Sequence, residues 1–388
     1  MTPLDGYKVL DFTTLLPGPY ATMTLADLGA EVLKISSKDK YDLVVNWPPV
    51  IEGAQVTGAQ AWLGRGKKTI HLNLKKPAAV EVVRKLIMDY DIIVEQFRPG
   101  VMEKLGLSYE QLRAINPRII YCSITGYGQN GPLAMRAGHD INYMARAGIA
   151  ASAGRKEGGP SLYNFQIADV AGGSMNAVVS ILAAVIYRER TGMGQNIDVS
   201  MQDSIIPFNS MDGASRFAGG SVPARESGLL NGGGIYDFYQ TADGGYMSVG
   251  ALEPKFWAAL SDGVGHPEWR DGKILRTDTL GVKRELTRIF RTKTRAEWTE
   301  VFAGLDACVE PVMDLDEVAR DEHLRSRGMW PSVPIPLTNG QSITQMGSPI
   351  HLSESPVQYR HAGYPEGYHT FEILRGLGYS DAEINEMI

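Results

Sequence analysis

YKVLDFTTLLPGPYATMTLADLGAEVLKIS, residues 7–36, decides the fold class. YKVLDFT (7–13) is a short apolar run without helical spacing and predicts a buried strand. PYATMTLADLG (19–29) has Pro19 near its start and predicts a helix, and EVLKIS (31–36) predicts the next strand. The same alternation continues outward. TIHLNL (69–74), DIIVE (91–95), RIIYCSIT (118–125) and QNIDVSM (195–201) predict strands. PAAVEVVRKLIMDY (77–90) predicts a helix with Pro77 in its first turn, and Ser108 and Gln111 of SYEQLRAI (108–115) fit a capping box. Such alternation implies an α/β fold whose mostly parallel sheet is covered by helices.

Later segments differ. DVAGGSMNAVVSILAAVIYRERTG (169–192) predicts a long helix that buries nearly all its faces and stops at Gly192. Gly-rich residues 218–234 read as a linker after a large domain at 1–217. YDFYQTADGGYMSVGA (236–251) predicts a hairpin turning at Asp243–Gly244, which opens a smaller domain at 235–328. The last stretch is Pro-rich and closes with a short helix capped by Ser380 and Glu383.

Composition narrows the function. The 388 residues are 44% hydrophobic and 21% charged, with a net charge of −6, which argues against a nucleic-acid binder. Cys122 and Cys308 lack metal-ligand spacing and are expected as reduced, buried thiols, pointing to the cytoplasm. MTPLDGYKVLDF (1–12) has no signal-peptide apolar stretch, and NEMI (385–388) is no targeting address. AVVSILAAVIY (177–187) is too short to span a bilayer, so no membrane is expected.

LLPGPYA (15–21) stands where a dinucleotide loop would lie, but Pro17 and Pro19 remove two N–H donors, so a nicotinamide or flavin enzyme is disfavoured. No P-loop, zinc pattern, G-x-S-x-G or C-x-x-C occurs. Basic residues gather in GRGKKTIHLNLKK (64–76), with Arg98 and Lys104 beyond; they read either as a solvated face or as a site for an anionic ligand. Asp169 reads as a helix N-cap or as a carboxylate kept ionised by the helix terminus, with Gly172 and Gly173 leaving room for a substrate. His139, in RAGHDINYMARAG (136–148), is either a satisfied core histidine or a group that moves protons. Glu253, in VGALEPKF (249–256), reads as a first-turn acid of a helix carrying Pro254.

Together these stretches resemble the family III CoA-transferase (CaiB/BaiF-type) superfamily, most of all its α-methylacyl-CoA racemase branch. The resemblance is carried by residues 15–35, 64–75, 98–112, ITGYGQNGP (124–132), AGHDINY (137–143), DVAGGSM (169–175), TGMGQNIDVSM (191–201) and GYSDAEI (378–384). It implies a large Rossmann-like domain, completed by the returning residues 329–388, plus a smaller α+β domain, in an interlocked homodimer. It implies acyl-CoA as substrate, with no cofactor beyond that CoA and no metal. Asp169 is then an acid/base group in racemases or the nucleophile in transferases. His139 is the opposing acid/base group, assisted by Glu253 of the partner subunit, and the Asp140 backbone N–H is the candidate donor to an enolate oxygen. Lys75, Arg98 and Lys104 match phosphate contacts, with Leu72, Gly138 and Tyr143 lining the CoA. Ser36–Ser37–Lys38 replaces an Arg common in racemases, and the apolar segment 41–63 is longer than in close racemases, which points to a reshaped acyl pocket.

Overall fold

The computed structural model describes residues 1–40 and 42–388; Tyr41, first residue of the 41–63 segment, lies outside the described residues. The chain divides into two compact units. The first comprises Met1–Ala147, Phe165–Pro207 and Glu322–Ile388, and the second comprises Gly148–Asn164 and Phe208–Asp321.

The first unit holds six strands: β1 (Lys8–Asp11), β2 (Glu31–Ser36), β3 (Lys67–His71), β4 (Ile92–Glu95), β5 (Ile120–Thr125) and β6 (Asn196–Ser200). They lie in the order β3-β2-β1-β4-β5-β6, with every pairing parallel. Val9, Leu10, Ile92, Ile93 and Val94 are buried on both faces, as strands of a doubly covered parallel sheet must be. Strand order reverses between β1 and β4. The carboxyl ends of those two strands are therefore the place where an open α/β sheet leaves a crevice.

Helix α1 (Pro17–Asp27) follows β1, and α2 (Pro77–Leu86) follows β3. Val80, Val83 and Leu86 of α2 pack on Leu10, Leu33, Ile70 and Ile93. The C-terminal residues Leu374, Ile384 and Met387 close the same cluster, and the Asn73 N–H donates to Met387 O at 2.8 Å. The capping boxes at Ser108–Gln111 and Ser380–Glu383 both form.

Part of the basic stretch 64–76 is internal. Arg65 is 1% exposed and bonds both Asp27 carboxylate oxygens, at 2.9 and 2.6 Å. Lys67, 2% exposed, reaches Asp11 Oδ2 at 3.1 Å and Thr22 Oγ1 at 2.6 Å. These two cations form neither a solvated face nor an anion site. Each neutralises a buried aspartate, the only arrangement in which a charge tolerates such burial.

The long helix also departs from expectation. A π-helical segment (Ile167–Ser174) precedes helix α4 (Met175–Thr191), which ends at left-handed Gly192. The combined run Ile167–Thr191 is long and apolar enough to cross a membrane, yet it packs on α1, β5 and β6 as a core helix does. It is not buried all round. Ala177, Val178, Ile181, Ala184 and Val185 face inward, whereas Val179, Ile186 and Tyr187 are exposed.

In the second unit, β7 (Asp237–Gln240) and β8 (Tyr246–Val249) form the expected hairpin, with Gly244 at φ +83. β9 (Val309–Pro311) adds an antiparallel third strand beside β8. The division falls at other residues than 217 and 328. Arg155 pairs with Glu226 at 2.8 Å and Asp237 at 2.7 Å, and both 148–164 and the Gly-rich 218–234 belong to this unit. Cys122 is buried as expected, but Cys308 is exposed, held at φ +51 beside β9.

Candidate active site

At the reversal point the loops after β1 and β4 are tied together. The Gly18 N–H, the donor left between two prolines, is taken by Gln96 Oε1 at 3.0 Å. A Cβ on Gly18 would fall 2.2 Å from Thr13 Cβ, so only glycine permits this turn. The π-helical segment docks on the same corner through Ser174 Oγ, which donates to Pro17 O at 2.6 Å.

Asp169 lies in the first turn of that segment rather than at its N-cap, which is Gln166. The π winding leaves carbonyls without regular partners. The Asn176 side-chain amide donates to Ala171 O and Gly172 O, and Ser174 Oγ to Asp169 O. Such segments concentrate at functional sites. Gly172 and Gly173 do not make room for a substrate. A Cβ on Gly172 would meet Ile205 Cγ2 at 2.8 Å, and one on Gly173 would meet Met201 Cγ at 3.0 Å. They let the segment close onto helix α5 (Met201–Ile205). The Asp169 carboxyl is not held ionised by the helix terminus either. Burial, reinforced by the Asp140 carboxylate, pushes it up to about 7.

His139 is the N-cap of helix α3 (Asp140–Arg146), is exposed, and its N–H donates to Asn142 Oδ1 at 3.0 Å. It is therefore not a core histidine. Asp140, the first residue of α3, has a backbone N–H in the turn where a helix leaves its donors without internal acceptors. Its carboxylate accepts from the N–H groups of Ala168 at 2.6 Å and Asp169 at 3.1 Å. The backbone that carries His139 is thus bonded to the backbone that carries Asp169. Gly138 has no Cβ because the Tyr143 ring occupies its place: a Cβ there would fall 2.6 Å from Tyr143 Cε1. The Tyr143 hydroxyl donates to Gly138 O at 2.6 Å, and Tyr127 stands edge-on to that ring at 5.2 Å.

The basic residues divide by role. Lys75, Arg98 and Lys104 are exposed, and among the described residues no carboxylate pairs with their side chains. Lys75 follows β3, and Arg98 and Lys104 follow β4, all beyond strand carboxyl ends. Lys40, in the loop after β2, stands 5.3 Å over the Phe97 ring beside Arg98 and adds a further cation. Leu72 is 1% exposed within the core, so its side chain does not line a ligand surface. Tyr143 is also buried. Glu253 is the N-cap of helix α6 (Pro254–Gly263) in the second unit. From the 41–63 segment, Asp42 accepts the Leu15 N–H at 2.9 Å, and Val56 and Ala61 pack on Val333 and Ala362. Leu43 and Trp47 remain exposed. Among the described residues, no group of three or more His, Cys, Asp or Glu is placed to hold a metal ion.

Two features escaped sequence reasoning. One is the Asp140 side chain, whose only sequence signal is its place directly after His139. The other is Glu95, at the end of β4, whose carboxyl burial pushes up to about 7 while it accepts the Phe97 N–H at 2.7 Å.

Comparison with known proteins places the chain in a family. The CoA-transferase family III profile matches residues 4–370. The chain is 34% identical to human alpha-methylacyl-CoA racemase over 99% of its own length and 96% of the relative's. It is 32% identical to human succinyl-CoA:glutarate CoA-transferase, over 100% of this chain and 89% of that one. A CAIB/BAIF family protein from Brucella suis superposes with a TM-score of 0.82 at 28% identity, covering 97% of this chain and 99% of the other. With a profile match along nearly its whole length and this six-stranded parallel sheet, the chain belongs to CoA-transferase family III.

Proposed function

We propose that the chain racemises 2-methylacyl-CoA thioesters by moving the α-proton from one face of the α-carbon to the other. The observation that carries this reading is the bond from the Asp169 N–H to the Asp140 carboxylate. It couples the strand of chain bearing the imidazole of His139 to the strand bearing the Asp169 carboxyl. Racemisation needs two groups that each take and return a proton near neutral pH. A carboxyl pushed up to about 7 is matched to that work, and the exposed imidazole of His139 supplies the second group. In this reading the Asp140 N–H, in the first turn of its helix, donates to the enolate oxygen. Lys75, Arg98 and Lys104 hold the CoA phosphates, so that the large handle orients the small reacting centre. The chain acts as a homodimer in which Glu253 of the partner subunit assists His139. Nothing beyond the CoA ester is required as cofactor.

Transfer of CoA between carboxylic acids is the second reading, favoured by the 32% identity to a CoA-transferase along the full chain. It makes Asp169 a nucleophile, which must be ionised to attack. Burial of Asp169 works against that requirement. Incubating single enantiomers of 2-methylacyl-CoA with the enzyme in heavy water separates the two. Racemisation yields α-deuterium and loss of enantiomeric excess, without a covalent adduct. Transfer yields an enzyme–CoA adduct in the intact mass and CoA on an added carboxylic acid, with no α-deuterium.

A further inference from the structure

We infer that the Asp140 carboxylate is a positioning residue that sets where the Asp169 carboxyl stands relative to the helix bearing His139. The inference rests on the acid–base reading of Asp169 and assigns Asp140 a second task beyond its backbone N–H. The π-helical segment begins without a cap of its own: Gln166 makes no side-chain capping bond. Two of its leading N–H groups, those of Ala168 and Asp169, are instead satisfied by one oxygen, Asp140 Oδ1, from another helix. A carboxylate accepting two backbone N–H groups makes a stronger, more directional tie than a neutral acceptor would.

The tie transmits position only if the Asp140 end is itself rigid, and it is. The Tyr143 ring fills the space left by Gly126 and Gly138, where a Cβ would come within 2.5 and 2.6 Å of it. Its hydroxyl fixes the Gly138 carbonyl, and Asn142 fixes the His139 N–H. A one-turn helix start is thereby locked on both sides, and Asp140 extends that lock to Asp169.

The same carboxylate puts a negative charge beside Asp169. The elements packed on the π-helical segment carry few other charges. α3 contributes Tyr143 and, at its far end, Arg146; α5 contributes Asp203; α1 contributes Tyr20 and Asp27; β5 contributes Tyr121 and Cys122, and β6 Asp198; α4 carries Arg188, Glu189 and Arg190 in its last turn. Asp140 is the one among them whose charge bears on Asp169. Removing that charge while keeping the tie must let Asp169 lose its proton at lower pH.

Two substitutions separate the effects. Asp140→Asn keeps a carbonyl oxygen for the two N–H groups and removes the charge; Asp140→Ala removes both. Each is assayed with wild type for α-deuterium incorporation and racemisation from pH 5 to 9, with kcat and KM measured separately. We expect Asp140→Ala to lose on the order of 100-fold in kcat, the effect of a reacting group misplaced by about 1 Å, with KM nearly unchanged. Asp140→Asn should recover most of that loss, with the acidic limb of its pH profile moved to lower pH. Wild-type kcat in Asp140→Ala, a loss confined to KM, or equal losses in both variants would overturn the inference. If Asp140→Ala does not fold, an unmoved acidic limb in Asp140→Asn overturns it. Wild-type enzyme that exchanges no α-hydrogen overturns the acid–base reading itself, whereas exchange in wild type with unaltered variants overturns this inference alone.

Discussion

Replacing Asp169 with Asn should stabilise the fold at alkaline pH while abolishing the proposed chemistry. In the folded chain the carboxyl is pushed from its ordinary 3.8 up to about 7, first by burial and then by the Asp140 carboxylate. Below pH 3.8 the folded and unfolded states both hold the proton, and the residue costs nothing. Between 3.8 and about 7 the unfolded chain releases the proton while the folded chain keeps it, so stability falls as pH rises; above about 7 the loss is complete. At about 1.4 kcal/mol per pH unit, that interval corresponds to about 4 kcal/mol as an upper bound. Solvent reaching the partly exposed side chain reduces this to about 2 kcal/mol. Asparagine has nearly the same shape and is neutral throughout. The variant should therefore exceed wild type by about 2 kcal/mol at pH 8 and by less than about 1 kcal/mol at pH 4.5. Urea unfolding followed by tryptophan fluorescence, at equal protein concentration because any dimerisation contributes to stability, measures the difference at both pH values. A variant less stable than wild type at pH 8, or a difference independent of pH, would refute the reasoning.

Other outcomes follow from the remaining groups. His139→Ala should lower racemisation at least ~100-fold in both directions, as loss of an acid/base group does; a folded variant racemising at the wild-type rate removes the two-base assignment. Arg98→Ala should raise KM for the CoA ester more than it lowers kcat, and wild-type binding should weaken as salt rises; unchanged KM at Arg98, Lys75 and Lys104 alike would take all three out of the site. Co-expressing Asp169→Ala with Glu253→Ala chains should restore part of the activity lost in each alone, and confirmed mixed dimers without activity would count against Glu253 acting across subunits. Lys67→Met should destabilise the fold by about 3 kcal/mol or more, because it leaves the Asp11 carboxylate, 0% exposed, without its cation; a thermal shift near zero would mean that Asp11 simply takes up a proton.

The alternating pattern of residues 7–36 and its continuation to 201 were enough, on their own, to establish a parallel α/β sheet. Burial on both faces writes a strand as an apolar run, and that pattern is local. The capping boxes at Ser108 and Ser380 and the hairpin at Asp243–Gly244 were legible for the same reason: each is complete within a few residues. His139, Asp140 and Asp169 could be named as candidates from short motifs. What joins them could not, because Asp140 and Asp169 are 29 positions apart in the chain and meet through a side-chain bond. The sense of the Asp169 proton equilibrium was likewise decided by tertiary structure. A helix terminus argues for an ionised carboxylate, but burial and a neighbouring carboxylate outweigh it, and neither is visible along the chain. The basic stretch 64–76 shows the same limit. Its charges look alike in sequence, yet Arg65 and Lys67 face buried aspartates on other elements while Lys75 faces solvent. A cation's partner is a matter of distance in space, and only the fold sets that distance.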